Sequence, residues 1–249
     1  MTINDAIKID PLQLISGAPI QVPGLDLKIY QPRLYQIASI GEERFYEYLG
    51  YFKLDKKTVL SKIKEQELIE ILEQKTDYEI LKMFTENEPE VEKGICTILS
   101  LVLKDIEIIK LNPFFIFIKM EAGQQYVIND EYFTIIKEIL YKIFGVDGQK
   151  QEYNPVNNIA AEIAKKLEER KEKLAKMQGK KDQNMFADFI SILAVGLNCP
   201  DISKILNLTI YQILNIMKRF GMYNQYNVQL QAMLQGAEDI ELVDWLQKI

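Results

Sequence analysis

Two apolar helical patterns separated by a breaker, between Met185 and Phe220, constrain the chain most. Phe186, Phe189, Ile190, Leu193 and Leu197 recur at spacings of three and four, which places them on one helix face. Asn198 and Pro200 end that pattern. After a short helical segment, Ile202–Leu206, a second helix opens at Thr209. The threonine hydroxyl can accept one of the amide protons left unpaired in a first turn. Ile210, Ile213, Leu214 and Met217 form the second apolar face. Faces this wide are not stable alone in water, so these helices must pack on each other and on the rest of the chain.

The remaining chain is mostly helical in pattern. Residues 1–30 read as extended, with Ile20–Tyr30 alternating around Pro23-Gly24 as a small hairpin. A helix follows from Pro32 through Leu34, Ile37, Phe45 and Leu49, and tight packing would explain Gly41 inside it. Three more helices are expected: Asp55 to about Glu73, one capped by Thr76 or Asp77, and one opened by Pro89. The last ends in Ile95–Leu103, apolar nearly all round and therefore central. Ile106–Leu111, Phe114–Met120 and Tyr126–Ile128 carry β-branched and aromatic residues and predict strands, with Phe114, Phe115, Phe117 and Tyr126 in their core. Asn129 or Asp130 caps a helix that ends at Gly145. After Gly221 a further helix ends near Gly236, and Asp239–Ile249 forms a short last helix around Trp245.

The fold class is mainly α, a multi-helix protein with a small β-hairpin and a two- to three-stranded β element. A break at Val146–Pro155 divides it into an α-rich region with minor β (1–145), a linker with a charged amphipathic helix (146–182) and a C-terminal helical module (183–249).

Composition narrows the chemistry. The chain has no histidine, which removes Ser-His-Asp and Cys-His catalysis and histidine metal sites. Cys96 and Cys199 stand far apart, too few for a cysteine-rich zinc site, and read as buried free thiols. No phosphate-binding glycine loop is present. Adjacent carboxylates such as Glu42/Glu43 and Glu168/Glu169 diverge by about 100° on a helix, poor geometry for acid–base work. The expectation is a non-enzymatic protein with no catalytic residue, cofactor or metal. No apolar run reaches the roughly 18–20 residues that span a bilayer, and Met1–Asp5 lacks a signal-peptide pattern. A cytoplasmic protein without membrane contact is expected.

Two constellations concern partners. Residues 201–220 have the rhythm of a helix-turn-helix whose second helix offers Thr209, Tyr211, Gln212 and Asn215. Lys218 and Arg219 come only at its far end, and the net charge is −6, so nucleic-acid binding lacks its basic surface. Asn158–Gln178 places Ile163, Leu167, Leu174 and Met177 at heptad spacing, interrupted by Arg170. Such a helix can pack within the chain, self-associate or dock on a partner. Ile163, Leu167, Leu174, Met177, Tyr211 and Gln212 are the candidate partner-binding residues.

Ile29-Tyr-Gln-Pro-Arg-Leu-Tyr-Gln-Ile-Ala-Ser-Ile-Gly-Glu-Glu-Arg-Phe resembles a Q-P-x-x-x-x-I-x-x-I-G-E-x-x-F/Y pattern in proteins from tail gene clusters of phages of Gram-positive bacteria. Phe189–Leu197, Leu208-Thr-Ile-Tyr-Gln-Ile, Gly236-Ala-Glu-Asp and Asp244-Trp resemble their C-terminal end. Those proteins are tail assembly chaperones. One departure stands out: the pattern Y-Q-L-Y-D-x-F is here Tyr211-Gln-Ile-Leu-Asn-Ile-Met, with Asn215 at the acidic position. The resemblance implies a protein of the host-cell cytoplasm that coats the helical tape-measure protein and recruits tail-tube subunits. A structural virion component, or a helix-turn-helix regulator acting through 201–220, are the alternative readings.

If Phe189 and Ile213 lie in the core of the C-terminal helices, truncating either to alanine removes about 2–5 kcal/mol. Glu169→Ala, on the charged helix, leaves the melting temperature nearly unchanged. Equal, negligible effects in thermal unfolding would refute a packed C-terminal unit.

Overall fold

Helices make up most of the described residues, and two small antiparallel sheets stand among them. The computed structural model describes residues 9–54, 56–61, 66–112, 115–119, 123–146, 185–196, 198, 201–237 and 241–247. The helices before the linker are α1 (Pro11–Ser16), α2 (Leu34–Ile40), α3 (Glu42–Tyr51), α4 (Lys56–Leu60), α5 (Gln66–Glu73), α6 (Asp77–Asn87), α7 (Pro89–Val102) and α8 (Asp130–Phe144). Beyond it lie α9 (Met185–Gly196), α10 (Ile202–Leu206) and α11 (Ile210–Leu234). One sheet pairs β1 (Ile20–Gln21) with β2 (Lys28–Ile29); the other runs β3 (Ile106–Lys110), β4 (Phe115–Lys119), β5 (Gln125–Ile128) in spatial order.

The second half of α7, Ile95–Val102, is apolar nearly all round and central, as its composition requires. Val91, Ile95, Ile98, Leu99 and Val102 are buried along α7. It packs against α3 on one side and α6 on another. The crossing with α3 is close at Gly94, where an added methyl would stand 2.6 Å from the Tyr51 ring and 2.7 Å from that of Tyr48. Pro89 opens α7 at its first turn, where its missing N–H leaves no bond unmade. Thr76 and Glu79 form a reciprocal capping box at the start of α6. Asn129 caps α8, and Gly145, left-handed at φ 63°, ends it.

The larger sheet turns Phe115, Phe117, Tyr126 and Ile128 inward. Tyr78 of α6 fastens it: the phenol donates to the Ile128 carbonyl (2.7 Å), and its ring meets Phe115 and Phe133 edge-on or tilted. Burial pushes the titration of this phenol upward, so it stays a neutral donor. Lys119 reaches Asp26 at 2.7 Å, and Tyr126 donates to the Asp26 carbonyl, which joins the sheet to the first hairpin.

Several expected elements differ. Residues 11–16, read as extended, form α1, because Asp10 caps it and Pro11 and left-handed Gly17 bound it. The helix expected from Pro32 to Leu49 begins at Leu34 and is split at Gly41. Gly41 has φ 91° and nothing within 4 Å of an added Cβ, so backbone conformation rather than close packing calls for glycine there. The expected Asp55–Glu73 helix appears as α4 and α5. Gly221 does not interrupt α11, since one glycine costs a long helix only about 1 kcal/mol. Residues 241–247 are turns rather than helix, with the Trp245 ring edge-on to Tyr223 at 5.2 Å. The 158–178 helix, most of the 146–155 linker, Phe114, Leu197 and Cys199 lie outside the described residues. Cys96 is a half-buried free thiol, its pKa pushed up to about 11 by burial and by Glu92.

Gly94→Ala should destabilise the protein by about 1–3 kcal/mol through overpacking, despite alanine's helix preference of about 1 kcal/mol. Urea unfolding checks this. A variant as stable as the parent would show that α3 and α7 do not cross this closely.

Candidate interaction surface

The C-terminal helices are seated by a joint between two helix starts. Arg33 precedes α2, Thr209 precedes α11, and the two residues pair as an isolated antiparallel bridge. The Leu34 N–H donates to the Leu208 carbonyl at 2.9 Å, and the Arg33 guanidinium donates to the Asn207 carbonyl at 2.9 Å. Each helix start is held by a glutamine three residues on: Gln36 accepts from the Arg33 N–H, and Gln212 from the Thr209 N–H. Thr209 returns the contact by accepting from the Gln212 N–H. The Gln212 amide also donates to the Ile15 carbonyl of α1 at 2.6 Å. Thr209 is almost fully buried, and so are Ile210 and Ile213 beside it.

A second contact seats α9. The Glu42 carboxylate of α3 accepts from the Phe186 N–H at 2.9 and 3.1 Å, capping α9 from another helix. Desolvation raises the pKa of Glu42 against the opposing pull of the Phe186, Met185 and Ala187 amides, and Asp188 adds to the rise. Tyr46 stacks on Phe186 at 5.6 Å, and burial also raises its phenol pKa. Farther along, an added methyl on Gly145 at the end of α8 would collide with Leu214 of α11. Phe186, Leu193, Ile205, Ile210 and Ile213 thus share one cluster of buried side chains with the N-terminal helices.

The sequence stretches that carry the resemblance are the ones that meet here. Gln31, Arg33, Gln36 and Glu42 come from one, and Leu208, Thr209 and Gln212 from the other. Among the candidate residues, Gln212 is engaged in hydrogen bonds within the chain, and Tyr211 is half-buried against the core. Ile163, Leu167, Leu174 and Met177 lie outside the described residues. The expected short helix, turn and second helix are present as α10, Asn207–Leu208 and α11. However, a recognition helix reads bases with its N-terminal residues, and the start of α11 is covered by α1 and by the chain before α2.

What these helices leave open is apolar and nearly uncharged. On α9, Met185, Ile192 and Val195 are exposed at spacings of seven and three, with Val195 83% accessible. Beyond Gly196, which lies against the Phe220 ring, the outer half of α11 buries no described side chain. Val228 and Leu234 are exposed there. From Phe220 to Ala237 the chain has no charged residue at all. That absence is visible in the sequence and was the signal that periodicity alone passes over. Among the described residues, no group of three or more His, Cys, Asp or Glu side chains is placed to hold a metal, and no helix is long and apolar enough to cross a membrane.

Because its pKa is raised by folding, Glu42 contributes stability that is fully present below the unfolded carboxyl value and lost as pH rises through the folded one. Glu42→Gln keeps an accepting oxygen without the charge, so at pH 7 it should be at least as stable as the parent. Its advantage should shrink as pH falls through that window. Glu42→Ala removes the cap and should cost about 1 kcal/mol. Denaturant unfolding at several pH values checks both; equal losses for glutamine and alanine would rule out the cap.

Residues 178–249, which include α9, α10 and α11, match the family model for the YomV second domain, from a phage-encoded protein family. No curated protein and no solved structure matches the chain.

Proposed function

We propose that this is a non-enzymatic phage tail assembly chaperone-like protein that holds a helical tail protein, above all the tape-measure protein, against the outer face of α9. The observation that carries the reading is the exposed Met185, Ile192 and Val195 row within the segment similar to a phage-encoded family. An amphipathic or apolar helix is recognised by such a row through side chains about one or two turns apart. An elongated tail protein with apolar helices needs cover of this kind until it is enclosed by tube subunits. The resemblance of Gln31–Phe45 and of the C-terminal segments to tail assembly chaperones supports the same reading.

Co-expression with the tape-measure protein of the same gene cluster tests it. The tape-measure protein should become soluble and co-purify with this chain, and Val195→Glu should abolish the complex without changing the helix content. Purified virions should lack the chain. Stoichiometric retention in virions would instead make it a structural component, and an insoluble tape-measure protein in its presence would refute the chaperone reading.

A further inference from the structure

The outer half of α11 and the chain that folds back along it form a second surface, apart from the α9 row. In the returning segment 241–247 the Val243 N–H donates to Gln229 at 2.8 Å, the Trp245 ring meets Tyr223 edge-on, and Arg219 donates to the Trp245 carbonyl. Beside it runs a stripe of the helix, Tyr223, Asn227, Leu230 and Leu234, at spacings of four, three and four. The stripe extends roughly 16 Å, about three turns. Both its ends are open, Tyr223 being 45% and Leu234 77% exposed. Leu246, next to Trp245, adds another exposed apolar side chain.

The edge of this stripe is acidic. No lysine or arginine occurs from Phe220 to Gln247, whereas Glu238, Asp239, Glu241 and Asp244 all follow the helix. Glu241 and Asp244 are exposed, and neither forms an ion pair with a described lysine or arginine. We infer that this surface docks an amphipathic helix with basic residues along one edge. Its apolar face would lie on Tyr223, Leu230 and Leu234, and its lysines or arginines toward Glu241 and Asp244. Laying an apolar helix face on an apolar stripe is a common mode of recognition. Charge then decides among apolar partners. An acidic helix brings like charge to the edge, and a neutral one leaves both carboxylates uncompensated. The inference leaves the α9 row outside the contact and does not rest on the tail-assembly reading.

Tryptophan fluorescence of the full chain tests this, because Trp245 is the only tryptophan and lies at this surface. The probes are three tryptophan-free synthetic peptides of about 14 residues, long enough to span the stripe as helices. They share one leucine face and carry lysine, glutamine or glutamate at the flanking positions. The lysine peptide should shift the Trp245 emission saturably, with a Kd between about 1 and 100 µM. The glutamine peptide should bind about tenfold more weakly, and the glutamate peptide more weakly still. Raising the salt from about 50 to 500 mM should bring the lysine peptide close to the glutamine one. Glu241→Gln combined with Asp244→Asn should remove the preference for lysine. If that pair alters the emission of the free chain, Glu241→Gln alone serves and should reduce the preference. Glu86→Gln combined with Glu107→Gln removes two exposed carboxylates elsewhere and should keep it, which separates the edge from the net charge of −6. Val195→Glu, on the α9 row, should leave the binding unchanged. Equal binding of the three peptides, binding that leaves Trp245 silent, or a preference that survives the change at Glu241 overturns the inference. So does loss of binding in Val195→Glu, or no binding of the lysine peptide up to about 100 µM.

Discussion

The structure depends on the bridge between Arg33 and Thr209. Two helices begin there side by side, and the first turn of a helix exposes amide protons that nothing within it can satisfy. In this protein those groups are met by a capping glutamine on each helix, by Thr209 and by the Leu208 carbonyl across the bridge. Thr209 can be buried only because its polar groups are paired, since an unpaired buried hydroxyl or amide costs about 1–3 kcal/mol. Once it is buried, Ile210 and Ile213 follow it into the core. The orientation of α11, and with it the position of its free outer half, is set at this joint.

The same logic runs through the rest of the core. Glu42 caps α9 across space, Tyr78 ties α6 to the ends of β4 and β5, and Tyr141 of α8 donates to the Phe52 carbonyl at 2.7 Å. Each polar contact joins two apolar elements and fixes which faces meet. Hydrophobic burial around α7 supplies the larger driving force but has no directional preference. The hydrogen bonds choose one arrangement among those that bury similar area.

This division has a functional consequence. The stretches that resemble tail assembly chaperones are largely consumed by interlocking the chain with itself: Gln36, Glu42, Thr209 and Gln212 all bond internally. The open surfaces are the outer row of α9, whose Ile192 and Val195 belong to the resembling stretch Phe189–Leu197, and the uncharged half of α11.

Much of the architecture was legible from local chemistry. Thr76, Thr209, Asn129, Pro89 and Gly145 mark helix ends because capping and backbone preferences act within a few residues. The centrality of α7 follows from the nearly all-round apolarity of Ile95–Leu103 at its end. By contrast, Gly41 looked like an interior helix residue until its positive φ placed it between two helices, and Gly221 looked like a break until α11 ran through it. Gln212 could be singled out from its pattern, but that its amide bonds to Ile15 depends on chain segments brought together from 197 residues apart. Periodicity and capping are short-range properties, and so the sequence by itself determined where helices start and which faces are apolar. Which apolar faces are covered and which remain open depends on long-range contacts, and only the tertiary structure decided that.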